Sequence, residues 1–327
     1  MRVFVYEYLT ALGLGDDPAD PMHAMYREGR AMRDAVVADL GRIPGMEVEM
    51  LDRFEDEDHD HEVWRVAERS DWSVIIAPET GGELDRFCRA VRHSAGKLLG
   101  PSPEAIALTS DKLALADHWR AHRVPTPATT DREPTACEVF PVVWKPRDGA
   151  GSTATFLLCD TLDESRAKAQ LAAEQHDGPM ILQEFVPGRA ASIPFLCGPR
   201  GNAPLVSAFQ LLSEDGRFHY LGGVLPIPPE LAERALRLGT RAIECVPGLL
   251  GYVGVDLVLG DAADGSRDFA IEINPRLTTS YVGLRALAEF NLAEAMLRIA
   301  AGELIDPFRW KPGRVRFEPD GTTRKFR

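Results

Sequence analysis

Apolar and polar positions follow two rhythms along the first hundred residues. Arg2 to Tyr8 carries the β-branched and aromatic run of a strand, and Met22 to Leu40 repeats its apolar positions at helical spacing. Met46 to Leu51 and Trp72 to Ala77 return to the strand pattern, and about Gly82 to Ser94 to the helical one. Strands alternating with helices predict a parallel sheet covered on both faces. Ligands of such sheets bind beyond the carboxyl ends of the strands, where Glu7 with Tyr8 and Glu79 with Thr80 fall. The alternative is that these four are polar loop residues.

Gly100-Pro101-Ser102-Pro103 is a stiff connector that marks a boundary. Helices are expected at Pro103–Leu108 and Asp111–His122, the second capped by Thr109 or Ser110. A strand at Val142–Lys145, a glycine-rich loop, a strand at Ala154–Cys159 and a helix at Leu162–Gln175 complete a small α+β lobe over residues 101–178. Strands at Met180–Phe185, Ser192–Cys197, Leu205–Leu212 and His219–Leu225 open a second lobe over residues 179–305. It continues with a helix at Pro229–Val246, two strands, and a helix near Leu292–Ala301. Residues 306–327 hold seven basic and three acidic side chains, a tail expected to drape over the fold or stay partly mobile.

The two strands of the second lobe carry the strongest chemical signal. In Gly251 to Gly260 a single acid, Asp256, interrupts an apolar run. In Ile271-Glu272-Ile273-Asn274-Pro275-Arg276 a carboxylate, a carboxamide and a guanidinium occupy alternate positions on one strand face. The polar stretch Asp261 to Arg267 reads as a hairpin turn, and folding about it sets Asp256 opposite Glu272 to within a residue. Two opposed acids repel unless a cation lies between them. The pattern points to a Mg²⁺ site with an arginine beside it for phosphate.

Composition narrows the field. Of 327 residues, 45% are hydrophobic and 27% charged, an ordinary balance for a soluble globular chain of two domains or three small lobes. A net charge of −13 argues against nonspecific nucleic-acid binding, so a bound polyanion must be held locally by a metal and a few cations. Five scattered cysteines without a CxxC pair favour reduced thiols in the cytoplasm over a disulfide frame or a zinc site. The chain starts directly on a strand pattern with no signal-peptide anatomy, and no apolar run reaches the roughly 18 residues a membrane span needs. The acidic run Asp52 to Glu62, with His59 and His61, invites a metal reading, but such charge density reads better as a solvated loop.

Four further stretches bear on the site. Arg147-Asp148-Gly149-Ala150-Gly151-Ser152 follows a strand carrying Lys145; its glycines let backbone N–H groups approach a phosphate, though a plain β-turn fits equally. Lys112 stands in the first turn of its helix, where the dipole disfavours a cation unless an anionic ligand is present; a solvated lysine is the alternative. Gln183-Glu184-Phe185-Val186 ends a strand with polar then apolar side chains, an edge able to take a purine or an ordinary strand end. Thr278, Thr279, Ser280 and Tyr281 precede a helix start, able to hold a carboxylate or phosphate or to serve as a hydroxyl-rich cap.

Taken in order, Lys112, Lys145 with its loop, Gln183 to Val186, Asp256, and Glu272-Ile-Asn274-Pro-Arg276 resemble the ATP-grasp superfamily over nearly the whole chain. Tyr6-Glu7-Tyr8 and residues 272–284 look most like the tyramine–glutamate ligases of methanofuran-type cofactor biosynthesis. The resemblance implies an α/β and α+β architecture, with a Rossmann-like N-terminal lobe over residues 1–100 before two lobes that clasp ATP. It also implies roles. Lys112 and Lys145 would contact the α- and β-phosphates, and Gly149, Ala150, Gly151 and Ser152 would cover the triphosphate. Gln183, Glu184, Phe185 and Val186 would hold adenine. Asp256, Glu272 and Asn274 would bind Mg²⁺, with Mn²⁺ as an alternative ion. Arg276, with Lys145, would stabilise the transferring phosphoryl group. Many relatives carry a ribose-binding acid shortly after the adenine segment, but Gly188-Arg189-Ala190-Ala191-Ser192 has none.

The implied activity is ATP-dependent amide formation between a carboxylate, glutamate above all, and a tyramine- or tyrosine-like amine, through an acyl phosphate. Glu7 and Glu79 are candidates for a substrate ammonium, and Thr278 to Tyr281 for other substrate groups. Dimers are common among relatives, so a homodimer is a candidate assembly. The competing readings are a small-molecule kinase on the same scaffold and a non-catalytic nucleotide-binding regulator.

Overall fold

A computed structural model describes residues 1–53, 59–134, 139–149, 151–174 and 177–326. Cys137, Ala150, Gln175, Arg327 and the middle of the acidic run, residues 54–58, lie outside them. Among the described residues no helix is long and apolar enough to cross a membrane.

The alternation of the first hundred residues folds as expected into a parallel sheet, ordered Glu47–Met50, Arg2–Glu7, Trp72–Ile76, Lys97–Leu98. Successive side chains of the central strand point to opposite faces. Phe4 and Tyr6 bury against Val63, Val66, Leu84 and Phe87 of two helices, His59–Glu68 and Glu83–Arg92. Val3 and Val5 bury with Met32, Val36 and Leu40 of the His23–Leu40 helix, in a cluster that continues to Leu277, Tyr281, Leu284 and Met296. One core therefore joins the first lobe to the last, and it fixes the strand ends carrying Glu7 and Glu79 against the Asp256–Arg276 region. His59 donates to or accepts from the Tyr6 hydroxyl at 2.8 Å and is buried, so it faces the core.

The small lobe holds an antiparallel sheet ordered Thr129–Thr130, Met180–Glu184, Val142–Pro146, Phe156–Leu158, packed by Trp144, Phe156, Leu158 and Leu182 against the Thr161–Ala173 helix. Met180–Glu184 pairs with Val142–Pro146, so this sheet extends past residue 178; no local signal distinguishes which neighbour a strand will choose. The second helix of the lobe is capped one residue later than expected. Asp111, rather than Thr109 or Ser110, accepts from the Leu113 and Ala114 amides, and Thr109 instead bonds back to Ala105 O at 2.7 Å.

The last lobe is an eight-stranded sheet. Its path runs Phe269–Asn274, Gly251–Leu259, Arg189–Gly198, Ala208–Leu212, Tyr220–Leu225, Arg314–Phe317, Thr323–Phe326, with Gly201–Pro204 paired to Arg189–Gly198. Ile193, Phe195, Val253 and Val255 pack on the Pro229–Glu244 helix, where Gly239 permits the approach: a β-carbon there would sit 2.5 Å from Ile193. The basic tail is thus no loose extension. It forms a hairpin on the sheet edge, and its turn residue Asp320 pairs with Arg27 at 2.5 Å.

Candidate active site

Register settles how the acids meet. Asp256 lies across from Glu272, with a bulge immediately after Asp256, and Gly254 lies across from Asn274. Asn274 Nδ2 donates to Asp256 Oδ2 at 3.1 Å, which leaves its carbonyl oxygen as the atom available to a hard cation. Ser192, opposite Asp256 on the other neighbouring strand, and Gln210 also donate to the Asp256 carboxylate. Burial and the facing Glu272 push the Asp256 carboxyl well above the ordinary carboxylate range, against those hydrogen bonds. Burial would raise Glu272 too, but Lys112 and Lys145 beside it reverse the shift and hold it below. A carboxylate pair under mutual repulsion, bracketed by oxygen donors and cations, fits Mg²⁺.

The two lysines approach from the small lobe. Lys112, the first residue of the Lys112–Ala121 helix, places Nζ 3.6 Å from Glu272 Oε2 and donates to Gly149 O at 2.8 Å. Its helix is locked to the glycine-rich loop: Arg147 grips Asp111 through two bonds at 2.8 and 2.6 Å, and the Lys112 amide donates to Arg147 O at 2.9 Å. Lys145 is 7% exposed, and burial pushes its ammonium down to about 8, with Glu272 and Asp256 partly offsetting this. The loop itself requires left-handed backbone, with φ of 127° at Gly149, 71° at Gly151 and 57° at Ser152. It rests on the first lobe, where Gly81 N donates to Asp148 Oδ2 at 3.1 Å.

Arg276 reaches into the cluster from the end of its strand and is held from the first lobe. Nη2 donates to Glu79 Oε2 at 3.1 Å, and Nε lies 3.0 Å from Oε1, off the N–H direction, as an ion pair. Both side chains are nearly closed off, at 11% and 5% exposure. Burial disfavours the guanidinium, but Glu79, with Glu28 and Glu272, more than restores it. Glu79 is therefore occupied by Arg276 rather than left to a substrate ammonium. Glu7 is likewise consumed: its carboxylate caps the Tyr8–Leu12 helix, accepting from Leu9 N and from Thr10 N at 2.8 Å, and it is buried against Gly29.

The hydroxyl run divides. Thr278 and Ser280 form a hydrogen-bonded triangle with the Tyr252 hydroxyl, at 2.8 to 3.1 Å. Thr279 donates to Glu28, a residue of the His23–Leu40 helix. Tyr281 turns away into the core, donating to Asp39 at 2.9 Å with no exposure, which makes it a packing residue. At the strand edge, the Gln183 amide is buried on Thr129 Oγ1 at 2.9 Å, whereas Glu184 is exposed, Val186 is buried and the Phe185 ring lies 6.5 Å from that of Phe218.

Sequence reasoning missed Glu28, Ser192, Gln210, Tyr220 and Tyr252. Gln210 had a signal, a lone carboxamide inside Ala-Phe-Gln-Leu-Leu. Glu28 had none, being one polar residue among many on a helix. Its carboxyl is raised by burial, partly countered by the Thr279 hydroxyl and Arg276, and it also bears on the buried Tyr220 hydroxyl.

Comparison with known proteins follows the same outline. Residues 109–280 match the ATP-grasp domain and residues 31–106 the pre ATP-grasp 3 domain. The chain is 26% identical to a tyramine–L-glutamate ligase of Methanocaldococcus fervens, over 92% of this chain and 94% of that protein. It is 29% identical to one of Methanocaldococcus jannaschii, over 72% of this chain and 65% of that protein. A crystal structure from Archaeoglobus fulgidus, assigned to the ATP-grasp superfamily, superposes with a TM-score of 0.70 at 26% identity, covering 97% and 92% of the two chains.

Proposed function

Because this chain belongs to the ATP-grasp family, we propose that it is an ATP-dependent ligase joining a carboxylate to an amine through an acyl phosphate. Glutamate is the proposed carboxylate and a tyramine- or tyrosine-like molecule the amine, in methanofuran-type cofactor biosynthesis; the relatives' names and the 272–284 stretch support this. One observation carries the reading: three oxygen-donor side chains, two lysines and an arginine, from four separate segments, converge on one cluster.

A carboxylate is a poor electrophile, so activation precedes amide formation. Its oxygen attacks the γ-phosphorus of ATP, ADP leaves, and the amine then displaces phosphate from the acyl phosphate. Such a transfer asks the protein for positioning and charge neutralisation. Lys112 and Lys145 would take the α- and β-phosphates, and the loop from Gly149 to Ser152 would close over them. Backbone groups of Glu184 to Val186 would hold adenine. Asp256, Glu272 and the Asn274 carbonyl would hold Mg²⁺, which when bound neutralises phosphate charge. Arg276, oriented by Glu79, has one N–H left on each η nitrogen among the described contacts, and would meet the transferring phosphoryl group. Glu28, beside Thr279 and Arg276, would receive the ammonium of an amino-acid substrate in place of Glu7 and Glu79.

The test is direct. Purified protein with Mg²⁺, ATP, glutamate and a panel of amines including tyramine and tyrosine should release ADP, phosphate and one amide in equal amounts. AMP with pyrophosphate would reject the acyl-phosphate route. A phosphorylated product without free phosphate would make the protein a kinase.

A further inference from the structure

The Lys112–Ala121 helix starts in the triphosphate cluster and ends, three turns away, in a second group of donors. His118 and His122 stand four residues apart on one face of its last turn, and Cys245 follows the last residue of the Pro229–Glu244 helix. One donor atom from each of the three lies within 4.8 Å of the others, and the imidazole centroids are 4.2 Å apart. We propose that His118, His122 and Cys245 bind a borderline-soft divalent cation of the Zn²⁺ class, separately from the Mg²⁺ of the active site.

Three observations support this. The donor set is two nitrogens and a sulfur, which suits Zn²⁺ and does not suit Mg²⁺. With bonds of about 2.0 Å to nitrogen and 2.3 Å to sulfur, tetrahedral ligands sit roughly 3.3–3.8 Å apart, so the donors are at most about 1.5 Å wider apart than in a closed site. Both rings are anchored through one nitrogen to a backbone carbonyl: His118 Nε2 to Cys245 O at 2.7 Å, and His122 Nδ1 to His118 O at 2.8 Å. A proton on each anchored nitrogen leaves a lone pair on the other, the support that metal-binding imidazoles usually have.

The surroundings set negative groups against the Arg241 guanidinium, which donates to the Arg123 carbonyl next to His122. Two helices end here, and their carbonyl termini present the negative ends of both dipoles. Glu244 adds a carboxylate next to the thiol. His122 is exposed while His118 and Cys245 are half-buried, so an ion can enter from solvent and keep a fourth position for water. Bound there, it would staple the Lys112 helix to the last lobe across a separation of 127 residues.

The experiment uses the full chain, stripped with chelator and returned to buffer with excess Mg²⁺ to fill the oxygen site. Competition against a chromophoric zinc chelator should show one equivalent of Zn²⁺. Co²⁺ in its place should give tetrahedral d–d bands and a thiolate-to-cobalt charge-transfer band. Cys245→Ser should abolish that band, and His122→Gln, a surface change that leaves folding intact, should weaken Zn²⁺ at least about a hundredfold. Nucleotide affinity should be unchanged in both. Absence of stoichiometric Zn²⁺ binding in the parent, or binding that neither substitution weakens, overturns the proposal.

Discussion

Replacing Glu79 by Gln keeps the shape of the side chain and removes the charge that holds Arg276. The pair is almost closed to solvent, with contacts of 3.0 and 3.1 Å. At that separation and an effective dielectric of about 20 the attraction is worth roughly 5–6 kcal/mol. Deleting one partner of a buried pair costs about 3–5 kcal/mol. Glutamine retains an acceptor for Nη2, so the expected destabilisation is smaller, about 1–3 kcal/mol, read as a drop in melting temperature. The larger effect falls on the reaction. A guanidinium misplaced by about 1 Å forfeits roughly 100-fold in rate. ADP release at saturating substrates should therefore fall about 100-fold, while ADP affinity by calorimetry stays within about threefold, because the lysines and the loop are untouched. Glu79→Asp, which restores charge on a shorter stem, should recover about tenfold of the loss. If Glu79→Gln is folded, binds ADP normally and turns over within about threefold of the parent, then Arg276 does not depend on this pair.

Lys145, pushed down to about 8, loses its proton earlier in the folded than in the unfolded chain. The cost of burying its ammonium is thus full below about pH 8 and is relieved as pH rises toward the ordinary lysine value near 10.4. A triphosphate favours the charged form, so ATP binding near pH 8 should take up about half a proton, measured by calorimetry in buffers of different ionisation enthalpy. No uptake, or uptake that survives Lys145→Met, would contradict this. Asp256→Asn relieves the buried like-charge pair and should stabilise the cation-free protein by about 1–2 kcal/mol in a chelator melt, while Mg²⁺-dependent ADP release disappears. A lower melting temperature would show that the carboxylates are not under repulsion. Glu28→Gln should raise the KM for the amino acid by about 10- to 100-fold with ADP affinity unchanged. An unchanged KM would remove Glu28 from the substrate site.

The acid pair was legible because it is local. Two apolar runs, a polar turn between them and a period of two put Asp256 across from Glu272 to within a residue, and the observed register agrees. Lys112 was legible as a cation placed against a helix dipole, and Lys145 as one standing just before a glycine-rich loop able to take an anion. The first-lobe acids show where such reasoning stops. Glu7 and Glu79 occupy equivalent ends of adjacent strands, with Glu7 directly across from Ile76. Position at a strand end made both candidates for a substrate ammonium, with plain polar loop residues as the alternative. Glu7 is satisfied by amides two and three residues ahead, purely local partners. Glu79 is satisfied by a guanidinium 197 residues away, and no periodicity reaches that far. A buried carboxylate must find a donor somewhere. When the chain supplies one within a turn of helix, its role is readable; when it does not, the acid belongs to a distant partner or a ligand, and only packing decides which.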